Sequence, residues 1–155
     1  MSRSGQVGLS TGERCIMPVI SYREALNDAL REEMQRDPNI FIMGEDVGFY
    51  GGAFKITDGL FAEFGEKRVI DTPIAEGLIV GAAIGAAMTG LRPIAELMTV
   101  NFALLAMDQI VNHAAKIRYM FGGKAKVPLV RRAPGGGGNQ LEAQHYQSLE
   151  SYFLH

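Results

Sequence analysis

The groups most able to do chemistry stand where apolar runs give way to turns. Glu45 and Asp46 follow Ile40-Phe41-Ile42-Met43-Gly44, and Glu96 follows Pro93-Ile94-Ala95. Glu76 follows Val69-Ile70-Asp71 and the turn Thr72-Pro73-Ile74-Ala75, and the small-residue run 77–88 begins directly after it. A carboxylate between two apolar stretches is costly to bury unless something engages it. Glu76 is therefore the strongest pointer to function. Met98 and Phe102, beyond the next apolar run, are the residue types that wall an aromatic-ring pocket beside such a carboxylate. For Glu45 and Asp46, a solvated or capping pair and a functional pair weigh evenly. Glu96 reads as structural, paired with Arg92 along its strand.

Pro134-Gly135-Gly136-Gly137-Gly138-Asn139 offers backbone N–H groups that suit an anion. It lacks the Gly-Lys-Ser/Thr ending of a phosphate-binding loop, and no G-x-G-x-x-G opens a helix after the first strand. It reads better as a loop that presents Gln144-His145. A histidine near a helix start is more often structural. Here the loop places it at the carboxyl edge of a strand, where open α/β sheets form their crevices. His113 and His155 receive no role, and the three histidines show no metal-ligand spacing.

The elements that must position these groups follow from periodicity. Ser21 and Glu24 form a capping box, and Ala25, Leu26, Ala29, Leu30 and Met34 recur at helical spacing up to Pro38. Strands are expected over 40–43, 68–71, 93–97 and 127–131, with Pro93 tolerated at the start of the third. Helices are expected over 58–64, 77–88 and 102–121, and another over 141–153. Strands alternating with helices give an α/β fold with a mostly parallel sheet flanked by helices.

The chain has 155 residues, 47% of them hydrophobic and 21% charged, which suits one soluble domain. A net charge of −2 excludes a basic nucleic-acid surface. No apolar run reaches the ~18 residues of a membrane span. The Gly77, Gly81 and Gly85 spacing marks a closely packed helix instead. The lone Cys15 provides neither a disulfide framework nor a metal set and suits a reducing compartment. Residues 1–16 have no apolar core and read as a tail or upstream extension, with 17–155 as the domain.

Many separated blocks match one family in order: Met43-Gly44-Glu45-Asp46-Val47, Gly51-Gly52-Ala53-Phe54-Lys55, the run from Arg68 to Glu76, Gly90-Leu91-Arg92-Pro93, Asn101-Phe102 and Ala143-Gln144-His145. On these the chain resembles, from Met17 to His155, the β subunit of the E1 component of thiamine-diphosphate-dependent 2-oxo acid dehydrogenases. The resemblance implies a transketolase-like pyrimidine-binding domain, incomplete here. It implies that Glu76 hydrogen-bonds a nitrogen of the cofactor's aminopyrimidine ring and favours the tautomer that deprotonates the thiazolium carbon. His145 is implied to assist decarboxylation or acyl transfer to the lipoyl group of the E2 acyltransferase. Met98, Phe102 and Ile74 are implied to line the cofactor, and Leu129 to give a main-chain carbonyl to a structural potassium ion.

The implied partner is an α subunit in an α2β2 heterotetramer, holding the diphosphate through Mg2+ with a Gly-Asp-Gly…Asn signature that this sequence lacks. Pyruvate is the favoured 2-oxo acid, ahead of branched-chain acids and the substrates of acetoin-cleaving relatives. The implied location is the cytoplasm of a bacterium, or a mitochondrial or plastid matrix. Two features depart from the family. Glu142 and Tyr146 are larger or more charged than the small residues expected beside that histidine. A family β chain is also considerably longer and carries a C-terminal transketolase-type domain, so this polypeptide is expected to be inactive alone. Two other readings stand beside this one: a piece of another transketolase-like enzyme, and a non-catalytic α/β module that binds an anion at the glycine loop.

Overall fold

A computed structural model describes residues 19–136, 145 and 147–154. Helix α1 (Tyr22–Arg36) starts at the capping box. The Ser21 hydroxyl accepts from the Glu24 N–H at 3.2 Å, and the Glu24 carboxylate accepts from the Ser21 N–H at 2.8 Å. It ends at Asp37, which is extended because Pro38 disfavours the helical region for its predecessor. Four strands follow: β1 (Ile40–Gly44), β2 (Val69–Asp71), β3 (Arg92–Glu96) and β4 (Val130–Arg132). All pair in parallel, in the order β2-β1-β3-β4. Helix α2 (Leu60–Phe64) precedes β2, and α3 (Glu76–Met88) joins β2 to β3.

Alternation along β1 explains the two cores. Ile40 and Ile42 face one side with Met34, Val47, Leu60, Val69 and Ile94. Phe41 and Met43 face the other with Ile79, Val80, Ala83, Ile84, Ala95, Leu97 and Ala103. A strand covered on both faces reads as a continuous apolar run, which is why β1 shows no polar alternation. Arg68 ties this arrangement together. Its guanidinium donates to the carbonyls of Ile40 (2.6 Å), Met34 (2.8 Å) and Asp37 (3.1 Å), bracing the passage from α1 into β1.

Pro93 sits inside a central strand without cost to the ladder. Arg92 donates to Asn39 on the β1 side, and Leu97 donates to Arg132 on the β4 side. Odd-numbered residues of β3 therefore face β4, whose pairing begins only at Ile94 opposite Val130. The missing N–H of Pro93 falls before that ladder starts.

Several elements differ from expectation. The fourth strand begins at Val130, not 127, because Pro128 has no N–H and the Leu129 N–H turns back to the Val127 carbonyl at 2.9 Å. The helix expected over 102–121 is a succession: a 3-10 turn (Val100–Ala106), a π segment (Gln109–Ala114) and helix α4 (Ile117–Met120). Within the 3-10 turn Ala103 and Ala106, three residues apart, are buried, while Leu105 is exposed. Of the helix expected over 141–153, residues 147–149 are not helical and Glu150–Phe153 is a short 3-10 turn. Residues 141–144 and 146 lie outside the described residues, as do the proposed tail 1–16 and Gly137 to Asn139. On α1 only Met34 is fully buried, with Ala25 and Ala29 exposed.

The glycines of α3 explain its closeness to the segment after β3. A Cβ on Gly77 would lie 3.5 Å from the Leu105 carbonyl oxygen, and one on Gly81 would lie 3.3 Å from Gln109 Oε1. Among the described residues no helix is long and apolar enough to cross a membrane.

Candidate functional site

The chain leaves β1 for β2 on one side and leaves β3 for β4 on the other. The carboxyl ends of β1 and β3 therefore flank the switch point of the sheet, where open α/β sheets form a crevice. Glu45 is the first residue past β1. Met98 and Phe102 lie on the exit of β3. Glu76 enters from β2 as the first residue of α3.

Glu76 is 4% exposed. Ala75, at the helix cap, makes no side-chain capping bond, so the carboxylate stands in the first turn of a helix whose N–H groups favour negative charge there. Among the described residues no hydrogen bond or ion pair engages the Glu76 side chain. Gly77, its neighbour, packs on the Leu105 carbonyl, which brings the start of α3 against the 3-10 turn that carries Phe102. Phe102 and Met98 are half-buried. The half-buried His145 ring meets the Phe102 ring edge-on, with centroids 5.4 Å apart and planes at 87°. Ile74 is 81% exposed and forms the outer rim of the turn before Glu76. Leu129 precedes β4, at the opposite end of the sheet from Glu76. No group of three or more acidic, histidine or cysteine side chains among the described residues is placed to hold a metal ion.

Glu45 emerges as a member of this site that the sequence left evenly weighed. It is 7% exposed, and its Oε1 is buried without a hydrogen bond among the described residues. Burial pushes its carboxyl above the ordinary range, and the charges of Glu76 and Asp46 push it further. Asp46 is exposed, with φ of 55°. The turn after it is clamped by Asp71, whose carboxylate accepts from the Gly48 N–H at 2.6 Å.

Glu96 has a different partner from the one expected. Residues four apart on a strand are about 13 Å apart, too far for an ion pair. Glu96 pairs instead with Arg132, directly opposite it on β4, and Arg92 pairs with Asp37 at 3.1 Å. The structural reading of Glu96 stands with its partner corrected.

These groups lie at the carboxyl end of the sheet, around its switch point. A hollow of about 650 Å³ between α1 and the loop after β1 is lined by Arg23, Glu24, Asp28, Lys55 and Asp58, and contains none of them. This end of the sheet thus carries a buried carboxylate, Glu76, together with the half-buried Met98, Phe102 and His145.

Residues 19–155 match the family model described as the transketolase, pyrimidine binding domain. The chain is 59% identical over 130 residues to the pyruvate dehydrogenase E1 component subunit beta of Chaetosphaeridium globosum, covering 84% of this chain and 40% of that protein. With the subunit of the same name from Rickettsia felis it shares 55% over 136 residues, covering 88% and 42%. With the chloroplastic subunit beta-2 of Arabidopsis thaliana it shares 49% over 152 residues, covering 98% and 36%. The chain thus spans about two fifths of the length of these curated relatives. Among solved structures it is similar to a split gene transketolase, inactive beta4 tetramer, with a TM-score of 0.50 and 27% identity over 78% of this chain and 36% of that one.

Proposed function

The chain belongs to the transketolase pyrimidine-binding-domain family, and from that premise we propose that it forms the pyrimidine-binding half of a thiamine-diphosphate site in the β subunit of a 2-oxo acid dehydrogenase E1 component, acting on pyruvate. The single observation that carries this reading is Glu76: a buried carboxylate in the first turn of a helix, at the switch-point cleft, with no protein group among the described residues to engage it. Such an orphaned acid fits an aminopyrimidine, which brings nitrogens to share a proton with it and a flat ring to lie against Met98 and Phe102.

Glu76 would hold a proton at a ring nitrogen. Met98 and Phe102 would wall the ring and exclude water, which strengthens that bond. Ile74 would close the rim. Bound thiamine diphosphate supplies the carbon nucleophile and the electron sink that decarboxylation of a 2-oxo acid requires. His145, held edge-on to Phe102 at the flank of the cleft, would hold or deliver a proton at the substrate or at the incoming lipoyl group of E2. Glu45, raised by its burial and then by the Glu76 and Asp46 charges, would keep its proton more readily beside the cofactor ring. The diphosphate and its Mg2+ would be held by an α subunit in an α2β2 assembly, the partner that the family resemblance implies. The Leu129 carbonyl, at the far end of the sheet, would serve a structural potassium ion. The relatives are bacterial and chloroplastic, and the reading places this chain in a bacterial cytoplasm or an organelle matrix.

The test is reconstitution. A version extended to the length of the relatives, mixed with an α-type subunit, thiamine diphosphate and Mg2+, is expected to decarboxylate pyruvate and reduce a lipoyl acceptor, and to lose both when either subunit is omitted. Activity of the extended β-type chain without any α subunit would overturn the split-site reading.

A further inference from the structure

The exits of β3 and β4 stay joined past the end of the sheet. Leu97 donates to Arg132 at 2.9 Å, and Val100 donates to Pro134 at 2.8 Å. Gly135 lies so close to this seam that a Cβ there would stand 2.8 Å from Val100 Cγ1. Across the seam, the Asn101 side-chain N–H donates to Gln147 Oε1 at 3.0 Å, two residues along from His145. The next residue of the β3 exit, Phe102, is the one that meets the His145 ring. The Asn101 Oδ1 is buried and has no hydrogen bond among the described residues, so the amide is oriented by its donor bond to Gln147.

We propose that Asn101 is a positioning residue for His145: by holding Gln147 it keeps the imidazole edge-on to Phe102 at the flank of the cleft. The value of that placement for catalysis rests on the function proposed above. A neighbouring pair on β3's exit then has two tasks, Phe102 walling the cleft and Asn101 fixing the histidine beside it. The bond between the two side chains is what matters, with Asn101 donating and Gln147 accepting.

Two near-isosteric neutral variants break the bond from either side. Asn101→Leu removes both polar atoms of Asn101, and Gln147→Met removes both of Gln147. Gln147→Glu, which keeps an acceptor for the Asn101 N–H, is the control. The readout is the rate at which diethyl pyrocarbonate acylates His145 in the 155-residue chain, followed by peptide mass spectrometry at about pH 8, where imidazoles are neutral. The exposed His113, beside Asp108, is the internal reference. The His145 rate, relative to His113, is expected to rise about 2- to 10-fold in Asn101→Leu and in Gln147→Met, the range set by losing one hydrogen bond. In Gln147→Glu it is expected to stay at or below the wild-type value. An unchanged rate in Gln147→Met, or a rise in Gln147→Glu equal to that in Gln147→Met, would overturn the proposal. Failure of the functional reading shows elsewhere: normal turnover by His145→Ala in the extended, reconstituted protein would remove the role of His145 and leave the acylation result standing.

Discussion

Glu76 and Glu45 put two acids at the carboxyl ends of neighbouring strands, and they test differently. Glu76→Gln keeps the shape and removes the carboxylate. In the extended protein with its α-type subunit and saturating cofactor, decarboxylation is expected to drop by about 10²- to 10⁴-fold, with the thermal midpoint nearly unchanged. Near wild-type turnover would sink the assignment. Glu45 titrates from a raised position, caused first by burial and then by Glu76 and Asp46. Between its unfolded and folded pKa the folded chain still holds a proton that the unfolded chain has released. Unfolding free energy therefore falls as pH rises through that window. The denaturant midpoint of Glu45→Gln is expected to fall less than that of the wild type as pH rises above the ordinary carboxylate range. Asp37, Glu24 and Glu63, all held below the ordinary range, pull the other way in both proteins and cancel in the comparison. Identical pH slopes would show that Glu45 carries no such strain. Glu76 was legible in the sequence because a lone acid in apolar text stands out. Glu45 was not, because its burial depends on β1 ending beside the start of α3, which local sequence does not state.

At the scale of elements, apolar periodicity located the four strands and α1 and α3, because a two-faced parallel sheet writes its core as unbroken apolar runs. It failed where hydrogen-bond choice decides. Residues 100–120 keep one side inward, but whether each N–H reaches back three, four or five residues is settled by contact with α3. Ion-pair partners failed for the same reason: Arg92 and Glu96 are close in sequence, yet register hands Glu96 to Arg132. The glycines make a sharper test. A Cβ on Gly44 would stand 2.5 Å from the Glu96 carbonyl oxygen, a backbone atom locked in the β1–β3 ladder. Gly44→Ala is expected to destabilise the chain by about 1–3 kcal/mol. Gly85, inside α3, has nothing within 4 Å of its would-be Cβ. Gly85→Ala is expected to stabilise by about 0.5–1 kcal/mol through helix propensity alone. Urea unfolding of both variants checks the pair, and equal effects of the same sign would contradict the close approach at Gly44.

For the whole molecule, the distribution of exposed apolar groups is uneven. Ile74, Leu78 and Leu105 gather around the start of α3 beside Glu76, and Tyr119, Met120 and Phe121 crowd the end of α4. The sheet ends in β2 on one side and β4 on the other, each with a free strand edge among the described residues. Unpaired edges and contiguous apolar patches both favour association. In the function proposed above, Glu76, Met98, Phe102 and His145 engage only the ring half of thiamine diphosphate. The 155-residue chain by itself is therefore expected to self-associate, and to show no measurable binding of thiamine diphosphate with Mg2+. Light scattering reads the first expectation and titration calorimetry the second. Binding by ring contacts alone would forgo the charged half of the ligand, whose paired phosphates need a metal or guanidinium clamp to leave water. A monodisperse monomer that bound the cofactor tightly would place the diphosphate on this chain and remove the need for an α subunit.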